Sequence, residues 1–187
     1  MKQIIPYAHS LLEETITEGN IVVDATLGNG HDSVFLSGLV GESGLVYSFD
    51  VQEEAIRQSE KLFAEHDVHN VTTIFNGHEK AGDELHKRHV DSIDGCIFNL
   101  GFLPGSDKAV TTSSETTIQA IEQLFSMLKP MRYIVIVIYP GHEEGQAEKD
   151  ALLNHLKIFP AKKADIIRYQ LVNRSDRAPF VVAIHKK

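Results

Sequence analysis

Residues 22–33 read Val-Val-Asp-Ala-Thr-Leu-Gly-Asn-Gly-His-Asp-Ser. An apolar run ends on Asp24, a Gly28-x-Gly30 turn follows, and Asp32 and Ser33 open a helical pattern. Glycines in such a turn let the backbone bend sharply and let a ligand approach it. The first N–H groups of the next helix have no intrahelical partner, and in dinucleotide-binding proteins they face a pyrophosphate. Here Asp24 and Asp32 flank the turn, and two carboxylates repel a pyrophosphate. They suit a cation, such as the sulfonium and amino groups of S-adenosylmethionine. Ser33 in place of a third glycine weakens the dinucleotide reading further. Asp50 ends the next apolar run, twenty residues beyond Gly30, where folds of this kind set an acid against ribose hydroxyls. Gln52 falls near the ribose or the adenine. Asn76 and His78 close the third run, where the adenine edge would lie and a polar side chain can hydrogen-bond the base.

A second set of residues suits an acceptor. Asn99-Leu100-Gly101-Phe102-Leu103-Pro104-Gly105 ends the fourth apolar run. Enzymes that methylate nucleobase amines often carry Asn/Asp-Pro-Pro-Tyr/Phe at this place. The amide oxygen accepts from the amine and aims its lone pair, while the ring stacks on the base. Asn99 and Phe102 keep that spacing, with Leu100-Gly101 in place of the prolines. Tyr139-Pro140-Gly141-His142 ends the fifth run. Tyr139 is placed to stack on or hydrogen-bond the acceptor, and Asp32, Tyr139 or His142 to take a proton. The ten histidines form no tight ligand motif with carboxylates. Methyl transfer from a sulfonium needs no metal, so none is expected.

These residues need a scaffold that brings strand ends together. Ile21–Ala25, Leu45–Phe49, Val71–Phe75, Gly95–Leu100 and Tyr133–Tyr139 read as buried strands; Ile134 to Ile138 shows no polar alternation, so both its faces are covered. Helical patterns alternate with them: His31–Leu39, Glu53–His66, a weaker one near Glu79–Arg88, Ser114–Leu128, and about Gly145–Leu156. Asp165–Val172 and Phe180–His185 read as a closing antiparallel hairpin. A further helix covers about Tyr7–Ile16. The expected fold is α/β and Rossmann-like: a seven-stranded, mostly parallel sheet with an antiparallel C-terminal hairpin and helices on both faces. One domain over residues 1–187 suffices.

Composition sets limits. With 42% apolar and 24% charged residues the chain is of ordinary globular make-up. It has no apolar run of about 20 residues for a membrane span, no secretory pattern at Met1–Pro6, and one cysteine, which excludes an internal disulfide. A cytoplasmic location and no membrane partner are expected. A formal charge of −8 disfavours broad phosphate neutralisation, so any RNA is held locally. The candidate basic clusters are His86–His89, Lys162 with Lys163, Arg174 with Arg177, and Lys186 with Lys187.

The three motifs around Asp24–Asp32, Asn99–Gly105 and Tyr139–His142 together resemble the short bacterial YtqB-like (MnmM) family of class I tRNA wobble-uridine methyltransferases. The resemblance runs from Tyr7-Ala8-His9 to the Pro179-Phe180-Val181 strand. It implies methyl transfer from S-adenosylmethionine, leaving S-adenosyl-L-homocysteine, to the exocyclic amine of 5-aminomethyl-(2-thio)uridine in the tRNA anticodon loop. It places the donor against Thr26, Asn29, Asp32, Asp50, Gln52, His78 and Asn99, and the modified uridine near Asp32, Asn99, Phe102 and Tyr139. Beside these, Gly28 and Gly101 are further candidates on the donor side, and Tyr7, His9 and Arg174 on the substrate side. It leaves a homodimer open. Two alternatives remain at this point. An rRNA base methyltransferase shares Asp-x-Thr-x-Gly-x-Gly, but those enzymes carry an inserted helical domain. A small-molecule N- or O-methyltransferase usually has a lid.

Overall fold

The computed structural model describes residues 1–101, 113–141 and 143–187. Five strands run parallel: β1 (Ile21–Asp24), β2 (Leu45–Asp50), β3 (Val71–Phe75), β4 (Gly95–Leu100) and β5 (Tyr133–Ile138). Two antiparallel strands, β6 (Ala164–Tyr169) and β7 (Phe180–Lys186), complete the sheet. The strand order is β3-β2-β1-β4-β5-β7-β6. The helices are α1 (Ile4–Glu13), α2 (His31–Val40), α3 (Glu53–Glu65), α4 (Ala81–Lys87, entered through a 3-10 turn at His78–Lys80), α5 (Ser114–Met127) and α6 (Glu143–Lys157). This is the expected architecture, and among the described residues no helix is long and apolar enough to cross a membrane.

Covering both faces explains the unbroken apolar run of β5. Ile134, Ile136 and Ile138 pack with residues of α5 such as Ile121 and Leu124. Val135 and Val137 point the other way, onto Ala8, Leu11 and Leu12 of α1. β3 and β6 are edges, and this corrects the reading of β3 as buried: only Ile74 of that strand is buried, and Phe75 is 65% exposed. An apolar edge strand looks like a central one when its neighbours are unknown.

α1 also starts three residues earlier than expected and ends at Glu13 rather than near Ile16. Pro6 does not block it, because a helix's first N–H groups have no intrahelical acceptor anyway. At the far end Thr15 and Ile16 both donate to the Leu12 carbonyl, so the chain leaves the helical pitch there.

The chain passes from β1 to β2 and β3 on one side, then returns to place β4 on the other. Such a reversal opens a crevice at the carboxyl ends of β1 and β4. The loop after β1 fills its floor. The Ala25 N–H donates to Ile97 of β4 and the Leu27 N–H to Phe49 of β2, so the loop spans the split between its neighbours. Gly30 then turns into α2 at φ 85°, a left-handed conformation, and a Cβ built on it lies 2.8 Å from the Ser59 Cβ of α3. Gly30→Ala is therefore expected to lower stability by about 1–3 kcal/mol, the usual range for a non-glycine residue held there. Urea unfolding checks this; an unchanged midpoint would mean the loop can adopt another path.

Candidate active site

At this crevice lies a cavity of about 660 Å³, within the usual range for a small-molecule site. Its floor is the β1–α2 loop. Thr26 binds it to β4: the Asn99 N–H donates to Thr26 Oγ1 at 2.7 Å. Asp50 binds it to β2, with Oδ2 accepting from the Gly28 N–H and Oδ1 from the Gln52 N–H, both at 2.9 Å. Each Asp50 oxygen still has a lone pair for a hydroxyl donor.

Asp24 plays another part than the sequence suggested. Its side chain is fully buried and is not among the cavity walls. Oδ2 accepts from Ser33 Oγ at 2.6 Å and Oδ1 from the Thr26 N–H at 3.1 Å, while Ser33 Oγ also bonds Ser48 Oγ of β2 at 2.8 Å. The carboxyl holds the loop from beneath and touches no space a ligand could fill. Burial, and secondly the charge of Asp32, push it up to about 7.

Asp32, by contrast, lines the cavity. It is gripped from two sides: His9 Nε2 of α1 lies 2.7 Å from Oδ1, and Asn99 Nδ2 of β4 donates to Oδ2 at 3.1 Å. The His9 ring is fixed by stacking on Phe35 of α2, with centroids 3.7 Å apart. A carboxylate accepts only, so Nε2 carries the proton of that bond. Tyr139, at the end of β5, lines the same cavity. Burial, then the charge of Asp32, push its hydroxyl above the usual tyrosine value. As a phenol it can donate a hydrogen bond.

Beyond Asp50 the cavity is lined by Gln52, Asn76, Gly77, His78 and Glu79. Burial lowers His78 below the usual histidine value, so the ring is neutral. Its Nδ1 faces the Ala25 carbonyl at 3.2 Å and must donate there. Nε2 is then an acceptor, and among the described residues it is buried with no partner, as is Asn29 Oδ1. Unsatisfied buried polar atoms are costly in a folded protein, and a ligand with an amino group satisfies the first. Asn29 and Gly101 also line the cavity.

The other sequence candidates lie elsewhere. Gly30 shapes the turn and is not a wall. Tyr7 stacks on Tyr169 of β6 at 3.8 Å, and Arg174 sits in the exposed β6–β7 loop; neither borders the cavity. Phe102 and His142 lie outside the described residues. Among the wall residues that escaped sequence reading are His31, Val51, Ser113 and Thr116. Ser113 caps α5 by accepting from the Thr116 N–H, a legible cap, but nothing in its spacing aims it at the cavity. Among the described residues no group of three or more His, Cys, Asp or Glu could hold a metal ion.

The fold and this carboxylate-floored cleft define an S-adenosylmethionine-dependent methyltransferase of class I. Residues 46–185 match the family described as "Putative rRNA methylase", and the chain belongs to it. It is 31% identical to the chloroplastic tRNA (mnm(5)s(2)U34)-methyltransferase of Arabidopsis thaliana over its whole length and 70% of that protein. Two solved structures align with the whole chain and 99% of their own. The "putative rRNA-methylase" of Clostridium thermocellum is 35% identical with a TM-score of 0.94. A Streptococcus mutans methyltransferase, solved in complex with SAH, is 34% identical with a TM-score of 0.88.

The raised Asp24 value gives a test with a definite sign. Between about 3.9, the ordinary carboxyl value, and about 7, the folded protein holds a proton the unfolded chain has released. Stability attributable to Asp24 thus falls as pH rises through this window. In the ligand-free protein Asp24→Asn should exceed the wild type in stability at pH 8, with the gap narrowing toward pH 5, by urea unfolding. A gap independent of pH would contradict the buried, proton-holding Asp24.

Proposed function

We propose that this enzyme transfers a methyl group to the exocyclic amine of 5-aminomethyl-(2-thio)uridine at the tRNA wobble position. The observation that carries the reading is the Asp32–Asn99 pair beside Tyr139 on the cavity wall. An alkyl amine resembles the lysine amine, whose ordinary value is about 10.4, so near neutrality it is protonated. An acceptor of this kind must be bound as a cation, lose a proton and present a lone pair. When bound, S-adenosylmethionine supplies a methyl group on a positively charged sulfur.

The chain's residues supply the rest. Asp32 attracts the ammonium and takes its proton through an oxygen lone pair not used by His9 or Asn99. Asn99 donates through Nδ2 to Asp32, which leaves Oδ1 to accept from the amine and orient it. Tyr139, 37% exposed and at the rim, offers a ring for a splayed base and a hydroxyl donor. Phe102 and His142 join the acceptor side by sequence alone. Asp50 takes ribose hydroxyls, and His78 Nε2 the adenine amino group. The Arabidopsis relative's name supports a tRNA substrate and the wobble nucleoside. Both long-range grips on Asp32 suit an amine acceptor better than a hydroxyl, which needs no carboxylate to bind it.

Asn99→Ala should cut methyl transfer about 100-fold, the scale of a lost orientation, while S-adenosylhomocysteine affinity stays near wild type. Tyr139→Phe should be milder, since it keeps the ring. The assay is labelled methyl transfer to tRNA carrying 5-aminomethyluridine and to the same tRNA lacking that group. Equal transfer to both would refute the amine substrate.

A further inference from the structure

Topology sorts the four basic clusters of this acidic chain. Lys87 and Arg88 are neutralised on their own helix by Glu84, at 2.8 and 2.6 Å. Lys162, Lys163, Lys186 and Lys187 lie where the parallel strands begin, because Ala164 pairs with Lys186 and Tyr133 with His185. That edge faces away from the cavity, and Lys187 is paired there with Asp165 at 2.7 Å. Arg174 and Arg177 belong to the opposite edge. Ile138 pairs with Phe180, which sets the end of the β6–β7 loop beside Tyr139 of the cavity wall. Among the described residues neither arginine has a carboxylate within ion-pair reach. Both are exposed, and Val172, 97% exposed, stands beside them.

The loop is also joined to the chemistry from its other end. Tyr169, where β6 closes, stacks on Tyr7 of α1 and donates its hydroxyl to the Lys2 carbonyl. Two residues after Tyr7, His9 bonds Asp32 in the cavity. Tyr139, the β6–β7 loop and the start of α1 thus lie side by side along one rim. Among the described residues the acids near it are Asp176, between the arginines, and Glu13 and Glu14, at the other end of α1 beside Tyr7 and Tyr169.

We propose that the β6–β7 loop is the docking surface for the phosphate backbone of the acceptor RNA, with Arg174 and Arg177 holding phosphates that flank the nucleotide in the cavity. This rests on the reading of the acceptor as a single-stranded RNA loop. Two unpaired guanidiniums in an exposed turn neutralise phosphates without reading sequence, and the exposed Val172 gives an adjacent base an apolar contact. An acidic protein holds RNA in this way through one local patch rather than a broad basic face.

The probe is an unmodified anticodon stem-loop RNA, so its binding does not depend on the wobble amine. Arg174→Ala with Arg177→Ala should weaken its binding about ten-fold and reduce the slope of log affinity against log salt by about 1.4, two single-strand phosphate contacts at about 0.7 each. Lys162→Ala with Lys163→Ala, at the far edge, should change neither. S-adenosylhomocysteine affinity should match the wild type in both variants, showing the fold intact. Wild-type RNA affinity and salt slope in the arginine variant, or an equal loss in the lysine variant, would overturn the proposal. Failure of the wobble-amine reading shows separately, as absence of methyl transfer to amine-bearing tRNA by a protein that still binds the stem-loop through these arginines.

Discussion

Two carboxylates hold one short loop, and the site depends on it. Asp24 grips the loop from below through the Thr26 N–H and, via Ser33, the first turn of α2. Asp50 grips it from the side through the Gly28 N–H. Thr26 in turn fixes the Asn99 backbone with its hydroxyl. Three strands and a helix are thereby registered around residues 25–30. Hydrogen bonds to a charged group such as Asp50 contribute about 1.5–3 kcal/mol each, so the loop is a preorganised part of the scaffold. A ligand then meets lone pairs already in place. Burial of Asp24 raises its value and is offset in part by two donors, the Thr26 N–H and the Ser33 hydroxyl.

The second consequence is electrostatic. Asp32 and Asp50 line the cavity, and buried Asp24 feels both. A cleft walled by two carboxylates disfavours a pyrophosphate and favours a cation, which is the charge of the methyl donor and of a protonated amine alike. His9 and Asn99 keep Asp32 oriented within it. α1 thereby links the cavity wall with the core, since Ala8, Leu11 and Leu12 bury one face on β5 and β7 while His9 holds Asp32 of that wall.

Much of this was legible in the sequence. Unbroken apolar runs gave β4 and β5, the Gly28-x-Gly30 turn located the loop that floors the cavity, and the spacing to Asp50 marked the second strand's end. What stayed hidden was contact between distant segments. An acid at a strand end looks the same whether it faces a ligand or a buried serine, and only the approach of Ser33 to Ser48 shows that Asp24 is enclosed. His9 reaches Asp32 across 23 residues, and no local period encodes that. β3 looked buried because periodicity reports apolar content, while edge position follows from the strand order. The four basic clusters were equivalent as text; the antiparallel β6–β7 pairing sorts them to opposite edges.

The most direct test of this account is the crystal structure of the protein with S-adenosylhomocysteine. It predicts both ribose hydroxyls on Asp50, with Gly28 still bonded to the same carboxylate. It predicts the adenine amino group on His78 Nε2, and the sulfur turned toward Asp32, Asn99 and Tyr139. A ligand whose ribose lies away from Asp50, or whose sulfur points away from Asp32, would contradict it.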